Sequence, residues 1–108
     1  MGQRAAPWAD RDRAPLRVEV QNHHFSDVVI YAIPNGQRRR LGTVGGLGSE
    51  TLRLPPEFEA SARGFRLAVH PIGSRASYTT ENITAGRGDT VILTVAGTLR
   101  MSHWHIRN

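Results

Sequence analysis

From Leu16 to Asn22 apolar and polar side chains alternate one by one, with Leu16, Val18 and Val20 set against Arg17, Glu19 and Gln21. A period of two places each set on its own face, so this segment predicts a half-buried strand with one wet side. The alternation returns at 65–70, where Phe65, Leu67 and Val69 face inward, and at 90–96, where Val91, Leu93 and Val95 do so. Residues 28–33 read differently. They form a continuous apolar run rich in β-branched side chains, which predicts a strand packed on both faces. Asn35-Gly36 follows it, a pair that accepts the positive φ angles of a tight two-residue hairpin turn. Pro34 suits a strand end, and the return strand spans 37–44, arginine-rich first and apolar at Leu41 and Val44. The hairpin Asp27–Val44 is therefore the element around which the remaining strands are expected to assemble, since two strands alone bury too little surface.

Further along, 50–54 predicts a short strand with Leu52 and Leu54 inward, stopped by Pro55-Pro56. Residues 57–63 allow one helical turn or an irregular crossover, being too few for a stable helix. Residues 76–83, rich in Thr and Tyr, read as an edge strand, and 98–106 as the last strand. The glycines around 45–48 predict a flexible loop; with no Gly-Lys-Ser or Gly-Lys-Thr and no amphipathic helix after it, this is not a phosphate cradle. Strands at near-regular spacing, bounded by Gly, Pro or Asn, predict an all-β fold. The expected form is an antiparallel sandwich of about seven or eight strands, Ig-like or transthyretin-like, with a small barrel as the lesser option. The predicted division is an extended N-terminal arm over 1–15 and a sandwich domain over 16–108.

Composition narrows the partners. The chain has 108 residues, enough for one core without metal or disulfide staples, and carries a net charge of +5. All 14 basic residues are arginine. They are spread along the chain with acids between them, which argues against the clustered footprint of a nucleic-acid binder. The absence of cysteine removes disulfides, thiolate metal sites and Cys nucleophiles together. No run reaches the roughly 20 apolar residues that span a bilayer, and the first 15 residues lack the apolar core of a signal peptide.

Candidate chemistry is sparse. His103 and His105 are two apart on a predicted strand, so their imidazoles share a face and could chelate one metal, with His23, His24 or His70 completing the set. The competing arrangement is a bulge near Ser102 that turns Trp104 into the core and both histidines into water. That arrangement is favoured, because burying one indole gains more than burying two unpaired imidazoles. On the hairpin, Arg38 and Arg40 point one way and Arg39 the other. They serve either to discourage edge-to-edge pairing or to contact an acidic partner. In the arm, Trp8 is the candidate anchor on a partner, with Arg11 and Arg13 beside it; packing of Trp8 on its own domain is the other reading. Catalytic signatures such as Gly-x-Ser-x-Gly and His-Glu-x-x-His are missing from the chain. Asp27 and Asp89 read as turn residues, and Arg87-Gly88-Asp89 as a strand-connecting turn. The expectation is a non-enzymatic domain without a cofactor.

Val18-Glu19-Val20-Gln21-Asn22, Val29-Ile30-Tyr31, Arg40-Leu41-Gly42-Thr43-Val44, Phe65-Arg66-Leu67-Ala68-Val69 and Gly88-Asp89-Thr90-Val91 follow one another in an order that resembles small uncharacterised bacterial envelope domains. These are β-sandwiches of periplasmic or lipoprotein type, and the resemblance covers residues 16–96. It implies a protein-interaction or accessory domain in the periplasm or cell envelope, docking on a protein partner such as a subunit of a membrane-associated complex. The N-terminal arm and the Arg-rich hairpin would make the contact. The resemblance transfers no catalytic residue. This chain departs from the pattern in showing neither leader nor lipid-accepting Cys, and a start at residue 1 without processing would place it in the cytoplasm.

Overall fold

Eight strands form two sheets packed face to face in the computed structural model, which describes residues 14–59 and 63–107. The strands are β1 (Arg17–Asn22), β2 (Val28–Ile33), β3 (Arg39–Val44), β4 (Ser49–Arg53), β5 (Arg66–Pro71), β6 (Tyr78–Thr79), β7 (Thr90–Val95) and β8 (His103–Arg107). One helical turn, α1 (Pro56–Glu59), and a 3₁₀ turn, Leu99–Met101, are the only helical pieces among the described residues. The first sheet has the order β4-β1-β7-β8, the second β3-β2-β5-β6. The fold is thus a sandwich and not a closed barrel.

The dry layer follows from the alternation. Val18 and Val20 of β1 and Val91, Leu93 and Val95 of β7 meet Val28, Ile30 and Ala32 of β2 and Leu67 and Val69 of β5, all fully buried. At one end α1 inserts Phe58, which meets Phe65 edge-on at 5.8 Å between ring centres and closes that end of the layer with Leu16, Leu54 and Ile83. Pro56 opens α1, where a missing N–H costs nothing, and the preceding Pro55 ends the strand region. The long sides are closed by half-buried side chains, Leu41 and Leu52 on one and Tyr78 and Trp104 on the other.

Several elements differ from the sequence reading. The sandwich is not purely antiparallel: β1 and β7 run parallel over Arg17–Asn22 and Thr90–Val95. Only hairpin-linked neighbours must run antiparallel, and β1 reaches β7 through the whole of the second sheet. The β2–β3 hairpin does not close on a two-residue turn. Its last pair is Ala32 with Arg39, so the loop is longer, although Gly36 does take a φ of +100°. A bulge at Leu41 shifts the register between Ile30 and Tyr31. The edge strand expected at 76–83 shrinks to Tyr78–Thr79 plus an isolated bridge from Ile83 to Phe65. The reversal near Ser102 is made by the 3₁₀ turn, and β8 begins only at His103. Ala14 and Pro15, read as arm, are half-buried, and the Ala14 carbonyl accepts a bond from Gly88 N–H at 3.0 Å.

The registers give the sandwich two distinct poles. Loops 23–27, 45–48, 72–77 and 96–102 gather at the upper pole; loops 34–38 and 84–89, with α1, lie at the lower. The upper loops are tied by Asn22, which is 2% exposed. Its Nδ2 donates to the carbonyls of Ser26 (2.9 Å) and Gly45 (3.0 Å), and its Oδ1 accepts from His24 N–H at 3.0 Å. The loop at 45–48, expected to be flexible, is pinned instead. Gly46 N–H donates to Asp27 Oδ1, Leu47 N–H to the His24 carbonyl, and Gly48 N–H to the Gly45 carbonyl. Gly46 is obligatory for this approach, since a Cβ there would stand 2.0 Å from the Phe25 carbonyl oxygen.

Replacing Asn22 by Ala strands these loop carbonyls and is expected to lower stability by about 2–3 kcal/mol in urea or thermal unfolding. Asn22→Asp, which faces a carboxylate toward carbonyl oxygens, is expected to lower it further at neutral pH. Unchanged stability in both variants would remove Asn22 from this role.

Candidate functional site

The arginines of the hairpin separate by face. Tyr31 is cross-strand partner to Arg40 and Ile33 to Arg66, and all four belong to the outer face of the second sheet. From the loop, the Arg38 guanidinium lies over the Tyr31 ring at 4.6 Å from its centre, within cation–π range. Arg40 donates from Nη2 to Thr43 Oγ1 at 2.8 Å. Arg39 turns the other way and pairs with Glu57 of α1 at 2.6 Å. Among the described residues neither Arg38 nor Arg40 has a carboxylate partner. Beside them Ile33, Pro34, Asn35, Gly36, Arg66 and Asn82 line a surface hollow of about 310 Å³. The site is thus the Tyr31 ring with the Arg38 guanidinium over it, Arg40 as its cross-strand neighbour and Arg66 further along the same face. Tyr31 and Arg66 escape a reading that follows charge runs, and only cross-strand register places them there.

β2 is also not packed on both faces by another layer. Val29 and Ala68 are buried on the outer face, while Tyr31 and Ile33 stay half-buried. Of these, Tyr31 is covered by the Arg38 side chain, while Val29 is flanked by Thr43 and His70.

The histidines lie elsewhere. His103 and His105 are exposed on the outer face of β8, opposite Thr94 and Ile92, while Trp104 and Ile106 turn inward and pack on the core. This is the favoured arrangement, reached through the 3₁₀ turn. His70 stands on the outer face of the opposite sheet, paired with Val29, and so cannot join them. Among the described residues no group of three or more His, Asp or Glu side chains converges as a metal site. Trp104 Nε1–H donates to Glu81 Oε1 at 3.0 Å, which joins the free edge of the first sheet to the segment after β6.

Other flagged residues serve the fold. Asp89 Oδ2 accepts from Gly86 N–H, the Asp89 carbonyl accepts from Arg17 N–H, and Arg87 pairs with Glu59 at 3.5 Å. The Arg87-Gly88-Asp89 turn is therefore committed to joining β7 to the entry of β1, at Ala14 and Arg17, and to α1. Trp8, Arg11 and Arg13 lie outside the described residues. No helix among the described residues is long and apolar enough to cross a membrane.

What fold and surfaces define together is a two-sheet β-sandwich domain. Comparison with protein-family models finds none that matches the chain, and no curated protein matches it either.

Three carboxylates, the half-buried Glu19 and the exposed Glu57 and Glu81, respond to their hydrogen bonds. The Gln21 amide, and then Arg107, hold Glu19 below its ordinary 4.5. The backbone N–H of Glu57 itself, and then Arg39, lower Glu57, while the Trp104 indole does so for Glu81. A lowered folded-state value means stability that is present above the ordinary value and is lost as pH falls through the folded one. The melting temperature is therefore expected to hold from about pH 7 to about pH 5 and to fall below about pH 4.5. Glu81→Gln keeps an acceptor for Trp104 and is expected to flatten part of that fall in circular dichroism melts. A melting temperature rising on acidification would contradict the assignment.

Proposed function

We propose that this chain is a non-enzymatic interaction domain that docks onto a protein partner in a larger, membrane-associated assembly of the bacterial envelope. One observation carries the reading: Arg38 and Arg40 gather at Tyr31 on an outer sheet face, without a carboxylate partner among the described residues. Arginine forks match carboxylates bidentately, and an aromatic platform holds a guanidinium in place at little entropic cost. Arg66 and the hollow at Ile33 and Pro34 extend the patch for a neighbouring side chain. An acidic, extended segment fits this face. Trp8, Arg11 and Arg13, outside the described residues, are proposed as a second grip on the same partner.

The test is isolation of the chain from its native cells with what accompanies it, repeated with the Arg38→Glu/Arg40→Glu variant and with residues 1–13 deleted. The charge-reversed variant is expected to keep its melting temperature and lose the partner; the deletion is expected to weaken association while the domain stays folded. A partner retained at full yield by the charge-reversed variant would overturn the reading.

A further inference from the structure

Four large apolar side chains are exposed among the described residues: Phe25 (80%), Leu47 (73%), Met101 (66%) and Ile72 (56%). Each belongs to a different loop, and all four loops are those of the upper pole. The loops of the lower pole carry none among the described residues. Exposed apolar residues scattered singly need no explanation, but one on every loop of a single end is a patterned surface.

These tips are held in place. Leu47 N–H donates to the His24 carbonyl, and Ile72 N–H to the Asp27 carbonyl, so three of the loops share backbone bonds. Phe25 stacks on His24 at 5.1 Å. Leu47 is the more telling case. It is the one non-glycine residue of the described chain at positive φ, +60°, although three glycines surround it. That conformation disfavours any residue with a Cβ, and it is spent here on holding an isobutyl group in water. The positive φ closes the Gly45–Gly48 turn, yet a glycine would close it with less strain, so the exposed isobutyl group is what the fold itself does not require.

The charge around the tips selects the occupant. Arg75 and Arg100 stand in two of these loops without a carboxylate partner among the described residues. Of the acids at this end, Asp27 is engaged by Gly46 N–H, and Glu50 lies at the head of β4. Apolar tips on separate loops, with arginines in two of those loops and a hollow of about 290 Å³ at this end lined mainly by polar residues (Gln21, Asn22, His23, Ser49), match a headgroup region in which hydrocarbon lies just beneath anionic charge.

We propose that the upper pole seats on an anionic lipid surface, with Phe25, Leu47, Ile72 and Met101 entering the interface and Arg75 and Arg100 on the headgroups. This goes beyond the docking reading above and uses a different surface. The experiment is sedimentation of the full chain with vesicles of phosphatidylcholine containing phosphatidylglycerol, against vesicles of phosphatidylcholine alone. The chain is expected to bind the anionic vesicles, and binding is expected to weaken as salt rises from about 0.1 M to about 0.5 M. The variant Phe25→Ser/Leu47→Ser/Ile72→Ser/Met101→Ser is expected to lose at least about a hundredfold in vesicle affinity. Leu47→Gly separates function from folding: it relieves the positive φ, so its melting temperature is expected to stay or rise while vesicle binding falls. Arg38→Glu/Arg40→Glu, at the other surface, is expected to bind the vesicles with at least half the wild-type affinity. No binding to anionic vesicles, or binding kept by the quadruple variant, would overturn the proposal and leave the Arg38–Arg40 reading standing. A wild-type dimer that the quadruple variant turns into a monomer, with neither binding vesicles, would overturn it in favour of a second copy of this chain.

Discussion

The carboxamide of Asn22 is the contact on which the upper half of this domain depends. It sits where β1 leaves the core, and its four polar contacts all go to backbone: the carbonyls of Ser26, Val44 and Gly45 and the N–H of His24. A β-sandwich gains its stability from a dry layer, and the loops at its ends must satisfy their own backbone groups or admit water to that layer. Asn22 does this for two loops at once, and its own N–H reaches the Gly48 carbonyl at 2.8 Å. A hydroxyl at this position would reach fewer of these groups, and an apolar side chain none. Once these loops are fixed, the side chains at their tips are fixed with them.

The open sides of the sandwich are handled by a different device. Each sheet has two free edges, and a free edge invites pairing with another chain. Along one side the arginines of β3 and the bulge at Leu41 spoil the edge, while Leu52 packs inward from β4. Along the other, β6 is only two residues long, and Trp104 reaches over from β8 to Glu81. An indole suits this place, since its ring covers the core while its N–H still finds a partner. The same side chain accounts for the histidines: with Trp104 turned inward, parity sends His103 and His105 outward.

The strands were legible because their signal is repeated at every second residue. Val18 and Val20, Leu67 and Val69, and Val91, Leu93 and Val95 each state their inward face more than once. The inward turn of Trp104 was legible for a related reason, an energetic choice between burying one indole and two imidazoles. What was not legible rests on single residues or on partners remote in sequence. Phe58 is one apolar residue between glutamates, and only the contact with Phe65 makes it core. Asn22 ends a strand, and nothing local says that its amide will be buried. The parallel pairing of β1 with β7 joins segments about seventy residues apart and leaves no local trace. The glycines at 45–48 suggested freedom where the structure uses them for close approach, and the strained residue is the leucine among them. Of the candidate surface, the arginines were visible as a run, whereas the Tyr31 platform and the four apolar tips appear only once topology gathers them.

The two candidate surfaces are kept apart by the direction of the strands. β1 and β7 both run toward the upper pole, so the chain enters the domain at the lower one, where the Ala14 carbonyl and Gly88 N–H meet. The β2–β3 loop, which carries Arg38, lies at that same lower end, with Arg40 and Tyr31 next to it on the outer face. A domain seated by its upper tips therefore holds both the arginine face and its point of entry away from the lipid, on the aqueous side. There a protein segment can reach Arg38 and Arg40 without competing for the membrane, and headgroups cannot neutralise those arginines first. One short sandwich can in this way join a surface at one end to a partner at the other with no moving part, because the separation is already set by the length of its strands.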